Sequence, residues 1–256
     1  MDITVFIIVL IGWIFSLCLH EFSHAFVAYH GGDTSVREKG YLTFNPLKYT
    51  HPLFSLVLPL LFLVMGGIGL PGGAVYIEKW RLRSRQWETA VSLAGPFSNA
   101  LLALILGLVL QLMPISASGI WPGLAFLAFL QISAVVLNLI PLPQFDGFGA
   151  IEPHLPMDVR MKFAQAQGML SWIVLILLWQ VPFIGRAFWG LVGILARLVG
   201  VLDRKEDVAL CRQPRLRRRL GLGKGTLRRR TILVSRQRQR GRGVGQGVRS
   251  RAGSRP

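Results

Sequence analysis

The run ITVFIIVLIGWIFSLCLHEFSHAFV, residues 3–27, is apolar over a length that suits a helix crossing a bilayer, yet it carries two histidines and a glutamate near its end. An ionisable side chain at membrane depth costs roughly 3 kcal/mol or more, so residues kept there usually mark function. The segment lacks the basic flank and small-residue cleavage site of a signal peptide, and removing it would discard the polar cluster, so it reads as a retained transmembrane helix. Further apolar blocks cover residues 52–70, 89–113, 119–142, 169–184 and 187–202, the last two separated by VPFIGR as in a tight helical hairpin. With 52% hydrophobic and 16% charged residues, the chain has the composition of an all-α polytopic membrane protein. Cys18 and Cys211 are far apart and define no disulfide framework.

The net charge of +17 divides unevenly. Residues 204–256 hold 18 Lys or Arg and two acids, whereas residues 1–203 hold 11 basic and 10 acidic side chains. The chain therefore reads as a membrane-embedded domain, 1–203, and an Arg/Gly-rich tail, 204–256, that cannot bury a core and is expected to be disordered. Such a tail suits anionic lipid headgroups or the fixing of topology. Nucleic acid is not expected as a partner.

His20 and His24 are four residues apart and so share one face of a helix, which is how two imidazoles reach one zinc ion. Glu21 is turned by about 100° from His20, where its carboxylate reaches a water on the metal rather than the metal itself. HEFSH is thus a complete H-E-x-x-H motif. A hydrolytic zinc site takes a third protein ligand and leaves one position open. His30 has the spacing of the longer H-E-x-x-H-x-x-G-x-x-H pattern, but Val27 stands where that pattern turns on glycine, and in a continuing helix His30 points off the ligand face. Glu38, His51 and His154 read as loop residues. Asp146, in NLIPLPQFDG at residues 138–147, is the better candidate: Pro141 and Pro143 break the helix before it, and Gly147 permits a close approach or a turn. An aspartate capping a following helix fits Asp146 alone equally well.

HEFSH, AGPFSN at residues 94–99 and NLIPLPQFDG together resemble the H-E-x-x-H, G-P-x-x-N and N-x-x-P-x-P-x-x-D-G patterns of the site-2 protease family of intramembrane zinc metalloproteases. The resemblance covers roughly residues 8–150. It implies one zinc ion per chain held by His20, His24 and Asp146, Glu21 as catalytic base, and site-supporting or substrate-positioning roles for Gly95, Pro96, Asn99, Asn138, Pro141, Pro143 and Gly147. LTFNPLKYTHP, residues 42–52, is similar to the N-P-L-x-H-x-D-P segment of a compact subfamily without a PDZ domain, with Tyr49 in place of its His and His51 in place of its Asp.

The three motifs must meet at one membrane depth. HEFSH ends the first block, AGPFSN begins the third and Asp146 ends the fourth, so these blocks are expected to run antiparallel in turn. Residues 52–70 are then re-entrant, returning through a short β element near Gly72–Ile77, and about five helices cross. That arrangement puts 27 of the 29 Lys and Arg residues on one side, the cytoplasmic one by the positive-inside rule. The expected protein is an intramembrane zinc endopeptidase of the cell membrane, with its active site toward the cytoplasm and a transmembrane protein as substrate. The alternative is a metal-binding, proteolytically inactive membrane scaffold or chaperone. Oligomeric state is not legible.

Overall fold

The computed structural model describes residues 3–48, 75–112 and 119–201, without the side chains of 166–172, 174–176, 178 and 179. A mostly apolar sequence without proline propagates α1 from Ile3 to Gly31. It ends where Gly32 adopts φ 122° and lets the Arg81 carbonyl approach so closely that a Cβ would stand 2.7 Å from it. A short α2, Ser35–Glu38, and a 3-10 turn at Pro46–Lys48 follow. After a second 3-10 turn at Lys79–Arg81 come α3, Arg85–Leu112, and α4, Trp121–Asn138. The six-residue α5, Asp146–Ile151, continues into a 3-10 turn at Glu152–His154 and leads to α6, Met157–Gln180, and α7, Pro182–Leu198.

Helix α3 packs against both α1 and α4, α1 also touches α4, α7 packs on α4, and α6 on α7. Val9, Trp13 and Leu17 of α1 meet Leu106 and Leu110 of α3, Leu127 and Leu130 of α4, and Phe188 and Val192 of α7 in the main core. The outward faces are equally apolar: Ile7, Ile11 and Phe15 on α1 and Leu101, Leu104 and Leu108 on α3 are exposed. A helix apolar all round belongs in hydrocarbon. Among the described residues, α1, α3 and α4 are long and apolar enough to cross a membrane.

Five crossings are thus not reached among the described residues. The last two blocks do form packed helices, but the break falls at Val181 rather than across VPFIGR, because Pro182 opens α7 and cannot donate the hydrogen bond that would continue α6. Residues 52–70, Gly72 to Ala74 of the expected β element, Tyr49, His51 and the tail 204–256 lie outside the described residues. Val75–Ile77, the remainder of that element, carries no strand.

The ends of the helices nevertheless fix their directions. The Arg83 N–H donates to the Gly31 carbonyl at 2.9 Å, so α1 finishes beside the start of α3. The Thr89 hydroxyl donates to the Ala150 carbonyl at 2.8 Å, so the chain leaving α4 reaches that same end. Helices α1, α3 and α4 therefore alternate in direction.

Candidate metal centre

His20 lies about 26 Å along α1 from its start, near the far boundary of a hydrocarbon layer about 30 Å thick. Both imidazoles are buried, and the helical spacing sets their Nε2 atoms 3.0 Å apart. His24 Nδ1 lies 2.6 Å from the Val91 carbonyl. A carbonyl only accepts, so Nδ1 carries the proton and Nε2 offers a lone pair.

Asp146 completes the group. Its Oδ2 stands 3.2 Å from His20 Nε2 and its Oδ1 3.4 Å from His24 Nε2. It is the first residue of α5, with Phe145 at the cap position and no side-chain capping bond, so the carboxylate serves the histidines rather than its own helix. Gln144, at φ 75°, turns the chain into this position after the buried Pro143, while Pro141 is exposed. A Cβ on Gly147 would collide with the Leu139 carbonyl, so only glycine lets α5 begin this close to the end of α4.

Tetrahedral ligands about 2.05 Å from a zinc ion lie about 3.3 Å from one another. The separations of 3.0, 3.2 and 3.4 Å among the three donor atoms fit that spacing. Asp146 Oδ2 is buried without a hydrogen bond, and a buried carboxylate beside two imidazole nitrogens is a donor set suited to a cation. These residues fit a divalent metal. Among the described residues, they form the one cluster of three potential ligands.

Gly95 and Pro96 lie inside α3, not near its start as the apolar block implied, because the helix begins in polar sequence at Arg85. A Cβ on Gly95 would collide with Nε2 of both His20 and His24, so the glycine is where the backbone of α3 passes the cluster. Pro96 lacks an N–H, so it gives no hydrogen bond to the Ser92 carbonyl four residues earlier, next to the Val91 carbonyl that accepts from His24 Nδ1. Asn99, one turn beyond Gly95, is buried with its Oδ1 unpaired. Asn138 is buried at the last residue of α4.

His30 is exposed and lies edge-on to Phe26, with ring centroids 4.6 Å apart. His154 Nε2 is 3.0 Å from the Thr89 hydroxyl oxygen, and Glu38 is exposed. Glu21, in contrast, is buried, and its Oε2 accepts the Val75 N–H at 3.1 Å. The Val91 carbonyl and the Val75 amide carry no side-chain signal, which is why sequence reasoning missed them.

Over 189 residues the chain is 49% identical to "Putative zinc metalloprotease Rip2" of Mycolicibacterium smegmatis, a match covering 73% of this chain and 72% of the relative. Rip2 of Mycobacterium tuberculosis is 47% identical over 202 residues, 78% of this chain and 77% of that protein. "Putative zinc metalloprotease YwhC" of Bacillus subtilis is 32% identical over 188 residues, 69% of this chain and 81% of that one. The chain belongs to the site-2 protease family. No family model matches it. No solved structure matches it either. The three motifs by which this family member is recognised therefore supply the residues that its fold assembles at one end of α1, α3 and α4.

Proposed function

We propose that the chain is an integral-membrane zinc endopeptidase that hydrolyses peptide bonds within or near a transmembrane segment of another protein. The observation that carries this reading is the convergence of Asp146 with His20 and His24 on one point, the two histidines and the buried Glu21 lying on a helix apolar enough to cross a membrane. The names of the relatives support zinc as the metal and peptide hydrolysis as the reaction.

Zinc, when bound, supplies a Lewis acid that acidifies water and polarises a carbonyl. His24, fixed by the Val91 carbonyl, and His20 present their Nε2 atoms to it, and Asp146 adds the negative charge that favours a dication. Glu21 takes the proton released by the attacking water and returns it to the departing amine. The burial of all three histidine and glutamate side chains keeps bulk water from competing for these contacts. A helical substrate hides its peptide bonds in its own hydrogen bonds and has to be drawn out extended before the reaction.

In the expected five-crossing arrangement 27 of the 29 Lys and Arg residues share one side, which supports a cell-membrane protein with this site toward the cytoplasm, and the 18 basic residues of the tail suit anionic lipid at that surface. Metal analysis of purified variants, with cleavage assayed in parallel, tests the assignment. Asp146→Ala should lose zinc, Glu21→Gln should keep zinc and lose cleavage, and His30→Ala should keep both. Zinc retained by Asp146→Ala at the wild-type level would remove Asp146 from the site.

A further inference from the structure

The segment from Val75 to Arg83 is fastened to the loop after α1 by contacts that the chemistry above does not use. Asp33, fully buried, accepts the N–H and hydroxyl of Ser35 on Oδ1, at 3.1 and 2.6 Å, and the N–H of Glu78 on Oδ2, at 2.8 Å. Lys39 Nζ donates to Glu78 Oε1 at 2.8 Å, to the Ser35 hydroxyl at 3.0 Å and to the Tyr76 carbonyl at 3.4 Å. Arg81 Nε donates to the other Glu78 oxygen at 2.5 Å. Hydrogen bonds from Lys39 and then Arg81 hold the Glu78 carboxyl down to about 2, so it stays ionised at any physiological pH.

Three residues of extended chain reach at most about 10 Å, so whatever fixes the Glu78 amide confines Val75 as well. Lys39, by holding the Tyr76 carbonyl, fixes the residue between them. At the end of this segment the Val75 N–H meets Glu21 Oε2. A carboxylate with one oxygen held by an amide has its plane set, and the other oxygen is left to receive a proton.

We propose that Asp33, Lys39 and Glu78 form a clasp that holds the Val75 amide on Glu21, which makes them positioning residues for proton transfer. The inference rests on the reading of Glu21 as the base. A clasp of this kind acts on orientation alone: none of its hydrogen bonds is to a metal donor. Its loss should therefore appear in kcat, with KM and zinc content preserved.

The full chain, reconstituted in vesicles of phosphatidylcholine and phosphatidylglycerol with a single-pass Leu/Ala reporter helix interrupted by Asn-Gly, provides the test. Lys39→Met and Glu78→Gln should each lower kcat about ten-fold with KM changed by less than about two-fold. Zinc content should match wild type, and Lys39→Arg should restore most of kcat. Hydrogen exchange, which needs no substrate, should be faster at Val75–Ile77 in Lys39→Met, in Glu78→Gln and in Glu21→Ala. Unchanged exchange in Glu21→Ala would overturn the Val75 contact. Faster exchange with unchanged kcat in Lys39→Met would overturn the positioning role, as would a loss of activity matched by loss of zinc. Glu21→Gln separates the two levels: if it still cleaves, the base assignment fails, whereas if it is inactive while Lys39→Met is fully active, only the clasp fails.

Discussion

A single methyl group separates a metal-accepting cluster from a blocked one at Gly95. Adding Cβ there brings carbon into contact with both Nε2 atoms, and neither imidazole can withdraw, since His24 is tied to the Val91 carbonyl and both side chains are buried. Gly95→Ala should leave the helix intact, alanine being the better helix former, yet lower zinc affinity by at least about 10-fold, as disturbed ligand orientation does. Metal titration of the purified variant checks it, and wild-type affinity would mean that α3 does not pass the cluster closely. Glycine at residue 95 is legible in the sequence as part of a motif, but its reason is not, because the atoms it makes room for come from another helix.

At the scale of elements, α3 and α4 each carry a polar irregularity whose cost and use can be compared. Proline in a helix interior costs about 3 kcal/mol in water. Pro96→Ala should therefore raise the thermal stability of the detergent-solubilised protein while weakening zinc binding, because an N–H restored to the Ser92 carbonyl tightens the turn that also carries the Val91 carbonyl on His24. Stability and metal affinity rising together would refute this trade. On α4, Gln131 donates to the Ser16 hydroxyl at 3.0 Å from a buried position, while its Oε1 is unpaired. Interhelical hydrogen bonds in membranes are worth about 0.6 kcal/mol, less than the roughly 1–3 kcal/mol cost of a buried orphan acceptor. Gln131→Leu should accordingly be neutral or stabilising in thermal unfolding, and a clear loss of stability would show that this contact sets the register of α1 against α4.

For the molecule as a whole, the contacts joining residues 31–39 to residues 76–83 mean that the stretch after α1 and the stretch before α3 lie together at one end of the bundle. Single cysteines at Lys48 and Lys79, in a background with Cys18 and Cys211 replaced, should both react with a membrane-impermeant thiol reagent from the same side. Labelling of the two from opposite sides would contradict the placement of Glu78 against Asp33 and Lys39, and with it the shared depth of HEFSH and AGPFSN.

The sequence by itself determined the membrane environment, the separation of a balanced body from a basic tail, and the identity of His20, His24, Glu21 and Asp146 as chemically distinctive groups. Those conclusions need only hydropathy, helical periodicity and side-chain chemistry, all of which are local. Sequence alone lets Asp146 either cap a helix or face the histidines, and tertiary structure decides between them through the turn at Gln144 and the close approach at Gly147. Helices α3 and α6 extend beyond their apolar blocks because polar first turns outside the hydrocarbon are still helical, a continuation that hydropathy does not register. The Val91 carbonyl that orients His24 and the Val75 amide that meets Glu21 were invisible in the sequence. Every residue has a backbone carbonyl and all but proline an amide hydrogen, so only the packing of one segment on another selects which of them serve the site.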